Sequence, residues 1–88
     1  MCIRDRSAAI YAHIIYYYNL LDQKPAAQWL KRLEQLSEEH NYYRHYFSGK
    51  KMMIEFYVIS QKIELAIKQA QDMYDKAKSL GTVSYTHL

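Results

Sequence analysis

The sequence predicts an all-α fold of two stacked antiparallel helical hairpins, four helices in all. Two observations carry this. The 88 residues hold only two glycines and one proline, although half are hydrophobic. An all-β chain needs a turn about every 8–12 residues, and the turn formers for that are missing. Apolar residues also recur at three- and four-residue spacing, the period of a helix face.

The first helix is expected from Ala8 to Leu21. Ile10, Tyr11, Ile14, Ile15, Tyr17, Tyr18 and Leu21 crowd it with apolar surface. Such density points to burial on more than one side. Asp22-Gln23-Lys24-Pro25 is the first break, and Pro25 fits a first helical turn, where its missing N–H costs nothing. The second helix is expected from Pro25 to Glu38, with Ala26, Trp29, Leu30, Leu33, Leu36 and Ser37 on one face. Lys31, Arg32, Gln35 and Glu38 fall largely on the other.

His40-Asn41 is the second break, with Asn41 as an N-cap for a helix over 42–59. Tyr43, Tyr46, Phe47, Lys50, Ile54 and Tyr57 trace its stripe. Gly49 lies mid-helix, which costs about 1 kcal/mol relative to alanine. A glycine there permits close approach of a neighbouring helix. Ser60-Gln61 is the third break, with Ser60 as a cap. The fourth helix carries Ile63, Ala66, Ile67, Ala70, Met73, Tyr74, Ala77 and Leu80 as one stripe. Glu64–Lys68 and Asp72–Lys76 stand at i,i+4 in the favourable order. Lys76 and Lys78 suit the C-terminal dipole, and Gly81 suits a C′ position.

A shift of forty positions aligns Ile14 with Ile54, Tyr16 with Phe56, Tyr17 with Tyr57, Ala26 with Ala66, Leu30 with Ala70 and Leu33 with Met73. This is the range of helix-pair repeats, so a tetratricopeptide-like repeat fragment is expected. Two hairpins are fewer than the three or so repeats that such stacks usually need.

The end strings MCIRDR (1–6) and VSYTHL (83–88) resemble translated sequencing-adapter sequence. Both are expected to be non-native, leaving 7–82 as a fragment of a longer helical-repeat protein. The formal charge of +3 then falls to +2, as ten basic and eight acidic side chains remain. No clustered basic face marks a nucleic-acid surface. No apolar run approaches the roughly 18 residues that span a bilayer, and no signal peptide is seen. A cytoplasmic location is expected.

No catalytic or metal site is expected, and no cofactor. The one cysteine, Cys2, gives neither a disulfide nor a thiolate zinc site. His40 and His45, five apart, would point about 140° apart on a helix, a poor chelate. His87 lies in the adapter-like tail. Glu-x-x-His, HExxH, Gly-x-Ser-x-Gly and Gly-rich phosphate loops are all missing. Glu38-Glu39 reads as a solvated face.

The ten tyrosines stand out. Their apolar bodies and polar tips suit surfaces that must both stick and hydrogen-bond, although helix packing explains most of them individually. Tyr11, Ile15 and Tyr18 form a second stripe on the first helix. By the forty-residue shift it maps to Lys51, Glu55 and Val58, with Arg44 one turn earlier. In a stacked repeat, such inner helices line a concave surface. A ligand groove is therefore expected at Tyr11, Ile15, Tyr18, Arg44, Lys51 and Glu55.

Residues 11–81 resemble the C-terminal end of the Rgg/GadR/MutR family of bacterial transcription regulators. The resembling stretches are YYYNLLDQ (16–23), AAQWLKRLEQLSEEHNYYRHYF (26–47) and IELAIKQAQDMYDKAKSLG (63–81). The resemblance implies a tetratricopeptide-like domain that binds short peptide pheromones in quorum sensing and mediates homodimerisation of the intact parent. In that family an N-terminal helix-turn-helix contacts DNA. None is present in this sequence, so no nucleic-acid contact is assigned to it, nor any membrane contact. A generic protein–protein interaction scaffold is the alternative, and a fragment of a helical enzyme ranks third.

Overall fold

A computed structural model describes residues 2–81. It contains four helices: α1 (Ile3–Asn19), α2 (Gln23–His40), α3 (Arg44–Ile59) and α4 (Ile63–Ser79). Helix α1 pairs with α2 and α3 with α4, and α3 packs against both α1 and α2. The fold is thus all-α, with the second hairpin stacked on the first. The adapter-like stretch 83–88 and His87 lie outside the described residues. Ile3–Arg6 form the first turn of α1, five residues before the expected start.

The turns explain why four helices of nearly equal length follow one another. Leu21, Asn41, Gln61 and Gly81 have φ values of 56°, 54°, 63° and 74°. One left-handed residue therefore recurs every twenty positions and closes each helix. In the first hairpin the Leu21 N–H donates to Tyr18 O and the Asp22 N–H to Tyr17 O, each at 3.0 Å. In the second, the Gln61 N–H donates to Val58 O at 3.0 Å and the Lys62 N–H to Tyr57 O at 2.7 Å. Both are Schellman closures, which satisfy carbonyls that the helix end would otherwise orphan. The forty-residue repeat is therefore built into the backbone as well as the apolar pattern.

Two capping roles differ from expectation. Asn41 ends α2 in the left-handed region, its N–H donating to Ser37 O, and is not the N-cap of α3. Asparagine tolerates that backbone through its short polar side chain, so one residue type suits both roles. Ser60 ends α3, and Lys62 precedes α4 without a side-chain cap. The Ser60 hydroxyl instead accepts from Gln23 Nε2 at 3.0 Å, and Lys62 Nζ donates to Gln23 Oε1 at 2.7 Å. Gln23 thereby ties the turn of one hairpin to the turn of the next.

Ile14, Leu30, Leu33, Tyr46, Met53 and Phe56 make the centre of the core. Gly49 is the point of closest approach. A Cβ there would lie 3.0 Å from Leu30 Cδ1, 3.3 Å from Ile14 Cδ1 and 3.4 Å from Leu33 Cδ2. Missing side-chain volume at Gly49 lets α3 settle into the cleft between α1 and α2. Its buried face includes Met53 and Phe56, which the expected stripe omits.

Helix α4 departs most from expectation. Ala66 is buried, but Ile63, Ile67 and Tyr74 of the same stripe are each about half exposed. The stripe is wider than the surface α3 offers it. Asp72 and Lys76 also reach across helices: Asp72 Oδ2 lies 3.6 Å from Lys50 Nζ, and Lys76 Nζ lies 3.6 Å from Glu38 Oε2.

Candidate functional site

Helices α1 and α3 run side by side and share one face. On α3, Ser48, Lys51, Met52 and Glu55 follow i, i+3, i+4, i+7 spacing and so fall on one side. Tyr11 approaches from α1. These five line an open depression with a volume of about 270 Å³. Lys51 and Glu55 are exposed, whereas Tyr11 and Met52 are half-buried. The depression thus offers an apolar floor, the hydroxyls of Tyr11 and Ser48, and one charge of each sign.

Of the six residues expected in a groove, the structure brings Tyr11, Lys51 and Glu55 to this depression. Ile15 is half-buried on α1, outside the lining. Tyr18 packs edge-on against Phe56, with ring centroids 5.4 Å apart and planes at 75°. It works as a wedge between the hairpins. Arg44 is exposed as the first residue of α3, also outside the lining. Ser48 and Met52 were not singled out from the sequence. The signal was available, since both lie on the helix face that Lys51 and Glu55 define.

One end of the depression borders a serine–histidine contact. Ser7 Oγ and His45 Nδ1 are hydrogen-bonded at 3.0 Å, and the His45 ring lies 5.8 Å from that of Tyr11. Burial, then the charges of Arg44 and Arg4, push the His45 pKa below its ordinary value. A neutral imidazole beside a serine has the form of a hydrolytic dyad. Ser7 is buried, however, so its oxygen has no access to a substrate. The contact joins α1 to α3.

A second, polar cleft lies where α2 and α4 flank α3. Glu34, Tyr46, Lys50, Asp72, Asp75, Lys76 and Ser79 line about 400 Å³. Lys50 is only 6% exposed, and its ammonium donates to Gln69 Oε1 and faces Asp72. Sequence spacing put Lys50 on an apolar stripe. The structure keeps it on that buried face and supplies polar partners for its tip. Tyr46 is buried, and Glu34 lines the same cleft. Burial first, then the carboxylates of Glu34, Asp72 and Glu38, hold its phenol well above the ordinary tyrosine pKa. A phenol so held stays neutral and cannot act as a base near neutral pH. Among the described residues, no group of three or more His, Cys, Asp or Glu side chains is placed to hold a metal ion. The cleft reads as an inter-helix polar joint.

Trp29 is the remaining aromatic feature. Its ring stacks on His13 with centroids 4.0 Å apart, and the Arg32 guanidinium lies 4.7 Å from its centroid. The three tie the outer side of α1 to α2.

Comparison with known proteins finds no matching family model, no matching curated protein and no matching solved structure.

Proposed function

We propose that this chain is a helical-repeat binding module that takes a short, partly apolar peptide along the α1–α3 face. The observation that carries the reading is the convergence of Tyr11, Lys51 and Glu55 on one open depression. An extended peptide offers backbone donors and acceptors, charged ends and alternating side chains. Tyr11 and Met52 supply apolar contact for a side chain. Lys51 is placed for a carboxylate or carbonyl, and Glu55, one helical turn on, for an ammonium or amide N–H. Open helical faces of stacked repeats suit extended ligands, which need length of contact more than depth.

In the fuller form of this proposal, the module is the peptide-sensing and dimerising part of a cytoplasmic, quorum-sensing transcription regulator. Support comes from the resemblance of residues 11–81 to the C-terminal end of the Rgg/GadR/MutR family. Among the described residues, no helix is long and apolar enough to cross a membrane. DNA binding would belong to another part of such a regulator. A general protein-docking scaffold is the second reading, favoured by the uncovered apolar face of α4.

The test is titration of the chain with fluorescently labelled short hydrophobic peptides, read by anisotropy. Saturable binding is expected. Lys51→Glu or Met52→Ala should weaken it about tenfold, a loss of about 1.4 kcal/mol. Peptides that fail to bind, or affinities untouched by both substitutions, would overturn the proposal.

A further inference from the structure

Among the described residues the repeat leaves two faces uncovered, and the forty-residue register shows how they correspond. Tyr46, Gly49, Met53 and Phe56 form the face by which α3 enters the cleft between α1 and α2, and all four are buried. Forty residues earlier stand Arg6, Ala9, His13 and Tyr16 on α1, and all four are exposed. On the receiving side, Ile14, Leu30 and Leu33 meet Gly49 and are buried. Forty residues later stand Ile54, Ala70 and Met73, each only half-buried. The chain thus presents a vacant seat on α3–α4 and, at its other end, the face that fills such a seat.

We propose that the two faces join: α1 of one copy docks head to tail on the α3–α4 face of the next. Three contacts seen inside the chain convert into three between copies. Gly49 against Leu30 becomes Ala9 of one copy against Ala70 of the other. The alanine adds volume where the glycine had none, and the loss from leucine to alanine makes room for it. Phe56 against Tyr18 becomes Tyr16 against Val58, which are 58% and 49% exposed. Ser60 against Gln23 becomes Leu20 against Ile63, which are 55% and 51% exposed. A polar tie between turns is thereby replaced by an apolar pair. Each of these three exchanged pairs is matched in character, and Tyr16, Leu20, Val58 and Ile63 are solvent-exposed in the single chain.

Such an interface is heterologous, because the two surfaces in contact differ. It differs from a two-fold homodimer, and it is independent of the peptide reading. A dimer of this kind leaves one entering and one receiving face unfilled, so assembly of the 88-residue chain proceeds past the dimer and extends the α1–α3 face along a continuous stack.

Sedimentation equilibrium of the 88-residue chain, from about 10 μM to about 1 mM, tests this. The mean mass should climb past twice that of one chain. Tyr16→Asp spoils only the entering face, and Val58→Asp only the receiving face. Each variant alone should stay monomeric. Their equimolar mixture should form a one-to-one complex that grows no further, since each contributes one intact face. Both sites are exposed, so far-ultraviolet circular dichroism should remain that of the parent chain. If either variant loses helicity, Tyr16→Lys and Val58→Lys serve in its place. A parent chain that stays monomeric at the highest concentration overturns the proposal. So does a dimer unaffected by either substitution, or a mixture that does not pair.

Discussion

Leu21 and Gln61, forty residues apart, adopt the same left-handed turn, with φ of 56° and 63°. Their N–H groups donate to the carbonyls of Tyr18 and Val58, themselves forty apart. Neither residue type favours that conformation, which costs a residue with a Cβ about 1–2 kcal/mol. Leu21→Gly and Gln61→Gly should each raise stability by about 1 kcal/mol, since both side chains are exposed and lose no packing. Asn41→Gly should gain less, because asparagine already tolerates the turn. Urea denaturation midpoints check this; unchanged or lower midpoints for Leu21→Gly would speak against the turn as described.

Gly49 should accept alanine but not a large side chain. The atoms that a Cβ would meet are terminal methyls of Leu30, Ile14 and Leu33, at 3.0–3.4 Å. Alanine's helix propensity, worth about 1 kcal/mol, offsets much of the crowding. Gly49→Leu should destabilise by roughly 1–3 kcal/mol through overpacking, by separating the hairpins. Thermal melts of both variants distinguish the two outcomes.

Lys50 and Asp72 should respond asymmetrically. Lys50 is buried, while Asp72 is partly exposed. Replacing the cation by an apolar side chain of similar length removes a desolvated charge, so Lys50→Met should be neutral or stabilising. Asp72→Ala leaves Lys50 buried with Gln69 as its remaining partner among the described residues, and should destabilise by about 1–3 kcal/mol. Equal losses from both substitutions, in denaturant titrations, would refute this account of the polar joint.

Two windows of pH dependence follow from the shifted groups. The His45 pKa is lowered in the fold. The unfolded chain therefore takes up the proton first as pH falls through about 6.5, and stability declines from there. His45→Gln should flatten that decline. The Tyr46 pKa is raised in the fold. The unfolded chain loses its phenolic proton first above about pH 10, and stability falls again on the alkaline side. Tyr46→Phe should remove that second loss. Stability measured by urea titration across the pH range reads both.

The helices, their pairing and the forty-residue period were legible because each rests on apolar spacing along the chain. Gly49 was legible for the same reason: a glycine inside an amphipathic helix needs a neighbour to account for it. The roles of Asn41 and Ser60 were not, because the residue types that begin helices also suit the turns that end them. Lys50 sat correctly on a buried face, but spacing cannot show that Gln69 and Asp72 receive its charge. The apolar character of the α4 stripe is plain in its spacing. Three of its eight residues, Ile63, Ile67 and Tyr74, are exposed, since burial depends on what the rest of the chain has left to offer. In the candidate groove, Tyr11, Lys51 and Glu55 follow from the repeat register. Tyr18 departs because Phe56, on the neighbouring helix, draws its ring into the inter-hairpin packing.

The central claim is that the α1–α3 face is the ligand surface. Backbone amide shift mapping by heteronuclear NMR, during titration with a short hydrophobic peptide, tests it most directly. Saturating shifts clustered at Tyr11, Ser48, Lys51, Met52 and Glu55 are expected, with α4 quiet. Shifts clustered instead on Ile67, Ala70 and Tyr74, or no saturating shifts at all, would contradict it.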